Sequence, residues 1–114
     1  MDTCLFCQIA NREVPAKILF EDDESVAFED INPKAPIHIL IIPRRHLATL
    51  LAAGEADAQL LGHLLLVANG IARQQGIADR GFRLVLNCNS EGGQAVFHLH
   101  LHLLGGRPLR WHPA

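Results

Sequence analysis

The chain has 114 residues, of which 49% are hydrophobic and 19% charged, with a formal net charge of −2. That length makes one domain, 1–114, with a core that needs no staples, and the near-neutral balance excludes bulk nucleic-acid binding through a basic surface. No run reaches the roughly 18–20 apolar residues of a membrane span, and the three cysteines (Cys4, Cys7, Cys88), without an export signal after Met1, point to thiols in a reducing cytoplasm rather than a disulfide scaffold.

Asp2 or Thr3 is placed to cap a short helix running to about Arg12, with Leu5, Phe6 and Ile9 as its apolar stripe. Cys4 and Cys7 are one helical turn apart and share a side. The pair is ambiguous alone: a redox couple, half a zinc site, or two small buried hydrophobes. No strand precedes it, as a thioredoxin-like motif would need, and zinc would require two further ligands, for which the histidines are the candidates. Lys17–Glu21 and Ser25–Glu29 read as a hairpin around the polar turn Asp22-Asp23-Glu24. Asp30 to Pro36 carries two prolines and is a loop. Ile37–Pro43 is nearly all aliphatic, a central strand covered on both faces, and it contains His38. His46 follows the turn Pro43-Arg44-Arg45 and by itself reads as a solvated loop residue.

Glu55 to about Gln75 is the long helix, with Leu60, Leu64, Val67 or Ala68, and Ile71 recurring every three to four residues. Leu61 and Leu65 widen that stripe, as for a helix packed on a sheet or a partner. Gly76 is its stop signal, and His63 lies on its flank. Gly81–Asn87 is another strand. The loop Ser90-Glu91-Gly92-Gly93-Gln94 then presents backbone N–H groups, a plausible cradle for an anion. It leads into His98-Leu99-His100-Leu101-His102-Leu103-Leu104, where strict alternation predicts a strand with histidines on one face and leucines on the other. Imidazole serves near neutrality as base, acid, nucleophile or metal ligand. A polar surface strand, a metal site and a nucleophile with helpers are all compatible with the run alone. The lone Trp111 near the end predicts docking on its own domain or on another subunit.

The pattern His98-x-His100-x-His102-x-x, with apolar x, resembles the signature of the histidine triad (HIT) superfamily. Pro15-Ala16-Lys17-Ile18, Phe20-Glu21-Asp22-Asp23, Asp30-Ile31-Asn32-Pro33-Lys34-Ala35-Pro36, Leu103-Leu104-Gly105-Gly106-Arg107 and Trp111 extend the likeness to its nucleotide-binding (HINT) branch, from about Asp2 to Pro113. The resemblance implies an α+β fold: a five-stranded antiparallel sheet, a short N-terminal helix and one long helix, forming a homodimer. It implies a purine nucleotide (AMP-like) ligand and hydrolysis of nucleoside 5′-phosphoramidates through a nucleotidyl-histidine intermediate, with no cofactor for the chemistry. His100 would be the nucleophile, and His102 and His38 would orient and tune it. Phe6, Ile9, Val14 and Ile31 would form the base slot, and Asp30 would hold the ribose hydroxyls. Asn87, Gly93, Gln94 and the backbone at Ala95 would hold the phosphate. Many relatives carry serine where this chain has Ala95, so the resemblance implies a slower reaction or an altered leaving-group preference.

Several bacterial relatives carry zinc on a Cys-x-x-Cys pair, a histidine after the Pro-basic-basic stretch and the first triad histidine. Here these are Cys4, Cys7, His46 and His98, a structural set with no open position. Three other readings compete: a nucleotide-binding interaction module with incidental hydrolysis, a dinucleoside polyphosphate hydrolase, and a triad that forms the first shell of a catalytic metal.

Overall fold

A computed structural model describes residues 3–111. In chain order it contains α1 (Leu5–Ala10), β1 (Ile18–Glu21), β2 (Ser25–Glu29), β3 (Ile37–Pro43), α2 (Ala58–Gln74), β4 (Arg83–Leu86) and β5 (Leu101–Gly105). The strands form one antiparallel sheet in the order β1-β2-β3-β5-β4. The expected α+β architecture, with five strands, one short helix and one long helix, is present.

Alternation along the central strands splits the core between the two sheet faces. Ile39, Ile41, Leu101 and Leu103 face α2, which buries Leu64, Val67, Ala68, Ile71 and Ala72 against them. Each large aliphatic side chain removed from water there contributes about 1.5–3 kcal/mol. On the opposite face Val26, Phe28, Leu40 and Ile42 pack under Phe6, Ile9 and Ala10 of α1. Six residues of helix are too few to stand alone, so α1 exists because it is packed there.

The β1–β2 turn is closed by one carboxylate. Asp22 Oδ1 accepts from the Glu24 and Ser25 backbone N–H groups at 2.9 and 2.7 Å and from the Ser25 hydroxyl at 2.8 Å. Its second oxygen lies 2.7 Å from His63 Nε2, which fastens α2 to the hairpin. His63, a flank residue in the sequence, is thus a structural contact.

Five expectations change in detail. Helix α1 begins a residue or two later than expected: Cys4 is its cap, its sulfur accepting from the Cys7 N–H at 3.4 Å. Thr3 therefore does not cap it, and Asp2 lies outside the described residues. The long helix starts at Ala58, after a 3-10 turn over Glu55–Asp57. Within it Leu65 is 49% exposed and does not join the buried stripe. Trp111 is 81% exposed and is not docked on its own domain. The histidine run is only half a strand. Ladder pairing stops at Ile41↔Leu101, near where Pro43 offers no N–H, and the Leu99 N–H turns instead to the Leu47 carbonyl at 2.7 Å. The in–out alternation nevertheless survives: Leu99, Leu101 and Leu103 stay in the α2 core.

Candidate active site and metal cluster

The sheet face under α1 opens into a cavity of about 630 Å³. Phe6, Ile9, Val14, Asp30 and Ile31 line it on the side of α1 and the loop after β2. His38, Asn87, Gly93, Ala95, His100 and His102 line it on the side of the central strands and the Gly-rich loop. Gly93 has φ +87°, a conformation suited to glycine. Gln94 is the one expected ligand-binding residue outside this lining. Its buried amide instead accepts from the Asn89 N–H and donates to the Ala48 and Val96 carbonyls, which fixes the loop from within. Sequence reasoning missed Lys34 and Leu104, which also line the cavity. The signal for Lys34 was its place in the proline-bounded loop; Leu104 read only as the end of the run.

The protonation of His38 and His102 follows from one group that has no choice. The Lys34 backbone N–H can only donate, and it lies 3.0 Å from His38 Nδ1. His38 therefore carries its proton on Nε2 and donates it to His102 Nδ1 at 2.9 Å, with Asp30 Oδ2 at 3.4 Å alongside. His102 must then hold its own proton on Nε2. That atom is buried and has no hydrogen-bond partner among the described residues, so an N–H donor points into the cavity unanswered. His100 has the opposite tautomer. Its Nδ1–H donates to the His98 carbonyl at 2.8 Å, which leaves the Nε2 lone pair free. The His100 and His102 ring centres are 4.9 Å apart, so a lone pair and a donor sit side by side. Both His38 and His102 are held neutral. Burial, countered by Asp30 and reinforced by Lys34, lowers His38; burial, then the His100 and His38 charges, lowers His102 to about 4.

The same proton placement argues against a metal in the triad. Asp30, His38 and His102 do bring donor atoms within 4.8 Å of one another. A cation there would need a lone pair on His38 Nε2, and the Lys34 N–H forces the proton onto that nitrogen.

The second cluster lies behind Phe6, whose ring meets His98 and His100 edge-on at centroid distances of 6.0 and 5.1 Å. Here Cys4, Cys7, His46 and His98 converge. His98 Nδ1 is 3.3 Å from Cys4 Sγ, 3.4 Å from Cys7 Sγ and 3.2 Å from His46 Nδ1, and Cys7 Sγ is 3.4 Å from His46 Nδ1. Ligand bonds of about 2.0–2.3 Å give tetrahedron edges of roughly 3.3–3.8 Å, so the four donors stand near tetrahedral spacing. His98 Nε2–H donates to the Pro43 carbonyl at 2.8 Å, which turns the Nδ1 lone pair toward the sulfurs in the way ligand histidines are oriented. The donor set fits a structural zinc ion.

Residues 11–109 match the HIT domain family. An uncharacterized HIT-like protein of Synechocystis is 55% identical over 109 residues, covering 96% of this chain and 95% of its own. The crystal structure of a HIT family hydrolase from Legionella pneumophila aligns with a TM-score of 0.96 at 50% identity, covering 98% of this chain and all of that one. A histidine triad nucleotide-binding protein from Candida albicans aligns with a TM-score of 0.81 at 28% identity, covering 96% and 86% of the two chains. The chain belongs to the HIT family.

Proposed function

We propose that the protein is a purine nucleotide-binding phosphoramidase of the HINT-like branch, with His100 as its nucleophile. The observation that carries this is the pair of Nε2 atoms, a lone pair on His100 beside an unanswered N–H on His102, in the wall of an apolar slot that also presents Asp30. The base would lie between Phe6, Ile9, Val14 and Ile31, and the ribose hydroxyls would donate to Asp30. His100 Nε2 attacks phosphorus, the P–N bond breaks, and the amine leaves with a proton from solvent. Water then cleaves the phosphorus–imidazole bond and releases the nucleotide and a proton. The His102 Nε2–H and the backbone N–H of Ala95 would stabilise charge on the phosphoryl oxygens through both steps. His38 fixes the tautomer of His102 and does not touch substrate in this scheme.

Zinc on Cys4, Cys7, His46 and His98 would hold α1 to the sheet and supplies no open position for chemistry. The exposed Leu65 and Leu66 on α2 and the free edge of β4 would be covered in a homodimer. No helix among the described residues is long and apolar enough to cross a membrane, and cysteines that form no disulfide suit a cytoplasmic location.

The test is hydrolysis of adenosine 5′-phosphoramidate by wild type and His100→Ala, each with and without chelator. Loss of at least about 10³-fold in His100→Ala, the scale of removing a nucleophile, with wild type insensitive to brief chelation, is expected. A folded wild type that binds AMP and hydrolyses nothing would favour the interaction-module reading, to which the methyl of Ala95 in the cavity lining already lends weight.

A further inference from the structure

Past the triad, the same sheet face continues into a second groove. It measures about 330 Å³ and is lined by Lys34, Arg83, Arg107 and Arg110 around Leu104, with no carboxylate in its walls. Lys34 and Leu104 line both the groove and the cavity, so the two spaces share a wall. Register explains the adjacency. Leu104 pairs with His38 on one side and Arg83 on the other, and the next row is Val85, His102 and Leu40. Side chains two residues apart on a strand share a face about 7 Å apart, so Arg83 stands one row beyond His102 on the side of the sheet that carries the triad.

These cations differ from others in the chain. Arg12, Lys17, Arg44 and Arg45 each pair with a carboxylate. Among the described residues, none of Lys34, Arg83, Arg107 and Arg110 does. The side chains of Arg83, Arg107 and Lys34 donate instead to backbone carbonyls: Arg83 to Arg110 at 2.7 Å, Arg107 to Lys34 at 3.0 Å and to Pro108 at 3.2 Å, and Lys34 to Asn32 at 2.9 Å. Those bonds hold the Arg83 and Arg107 guanidinium groups in place and occupy only one or two of the five N–H donors of each. Four unneutralised cations collected in one groove of a chain with formal net charge −2 are a site prepared for negative charge.

The order along β5 says which part of a substrate would reach it. The base slot lies toward α1, and the attacking nitrogen belongs to His100. The displaced group leaves on the far side of phosphorus from that nitrogen, and past His102 the strand continues to Leu104, beside which Arg83 stands on β4. We infer that the groove is a subsite for an anionic substituent on the leaving group, a carboxylate or a phosphate. This inference rests on the phosphoramidase reading and adds to it a substrate class: nucleotide conjugates whose second half is acidic.

Adenosine 5′-phosphoramidates of aspartate and of a neutral amine test it, with wild type and Arg83→Gln/Arg107→Gln. Wild type should prefer the aspartate conjugate on the order of tenfold in kcat/KM, chiefly through KM, as for one charge-assisted hydrogen bond. The preference should vanish in the double variant, return with Arg83→Lys/Arg107→Lys, and shrink at high salt. Equal use of both substrates by wild type, or an acidic preference untouched in the double variant, would overturn the inference while leaving the phosphoramidase reading standing. Titration with ADP and AMP separates the phosphate source and does not depend on turnover. Tighter ADP binding that is lost in the double variant supports the subsite even if no phosphoramidate is cleaved; equal affinities with no acidic preference remove it.

Discussion

His98 and His102 stand four residues apart in one run, and they have opposite chemistry. His98 donates Nε2–H to a carbonyl and turns Nδ1 toward two thiols. His102 receives a bond on Nδ1 and turns Nε2–H into the cavity. Between them His100 donates Nδ1–H to the His98 carbonyl and keeps a lone pair on Nε2. The side chain is the same in each case; the partner of one ring nitrogen decides the work of the other. The backbone of His98 also links the two regions, since the residue that joins Cys4, Cys7 and His46 supplies the carbonyl that sets the tautomer of His100.

The comparison breaks most visibly at the cluster end. Phe6 and Ile9, walls of the cavity, ride on α1, and α1 is fastened by Cys4 and Cys7. Cys4→Ala/Cys7→Ala should abolish stoichiometric zinc and lower Tm on the order of 10 °C, as a loss of about 2–3 kcal/mol does in a chain of this size. AMP affinity should fall with it, because the base slot loses a wall. Calorimetry and metal analysis, each with and without chelator, check this. A Tm and an AMP affinity indifferent to both the substitution and metal removal would show that the hydrophobic contacts of α1 suffice.

At the triad end the expected effect is a titration. Burial leads the causes that hold His102 to a pKa of about 4 against an ordinary 6.5, and His38 is shifted in the same direction. The unfolded chain therefore binds more protons between those values, so stability rises with pH across that window. The contribution is fully present above about pH 6.5 and is lost as pH falls toward 4. Nitrogen chemical shifts should show His102 neutral at pH 5.5, where a free imidazole is largely protonated. A midpoint near 6.5 would mean that its Nε2 faces solvent, and the argument for an unanswered donor would fall.

Much of this was legible from the chain. Alternation in the histidine run put leucines in one core and histidines on the other face, and the helix stripe put Leu64 and Ile71 inside. What stayed hidden depended on contacts between distant segments. Nothing in the local pattern says that the Leu99 N–H prefers the Leu47 carbonyl to a strand partner, or that Gln94 points inward. The Lys34 N–H that fixes the tautomers of His38 and His102 is backbone, and backbone carries no residue-type signal. The cationic groove was equally invisible, because Lys34, Arg83 and Arg107 are scattered in sequence and meet only through sheet register.

The smallest expected effect sharpens the catalytic half of the comparison. Ala95 lines the cavity with a methyl where a hydroxyl could donate to a phosphoryl oxygen or to the departing amine. One added donor is worth less than removing an evolved one, which costs about 10²–10³-fold, because the surrounding shell was not built around it. Ala95→Ser should therefore raise kcat/KM for adenosine 5′-phosphoramidate by roughly three- to tenfold, without altering metal content or Tm. The gain should be larger for poor leaving groups, whose departure most needs a proton or a hydrogen bond. An unchanged rate across leaving groups would mean that departure of the amine is already assisted from elsewhere in the cavity, and attention would move to Asn87 and the Ala95 backbone N–H as its donors.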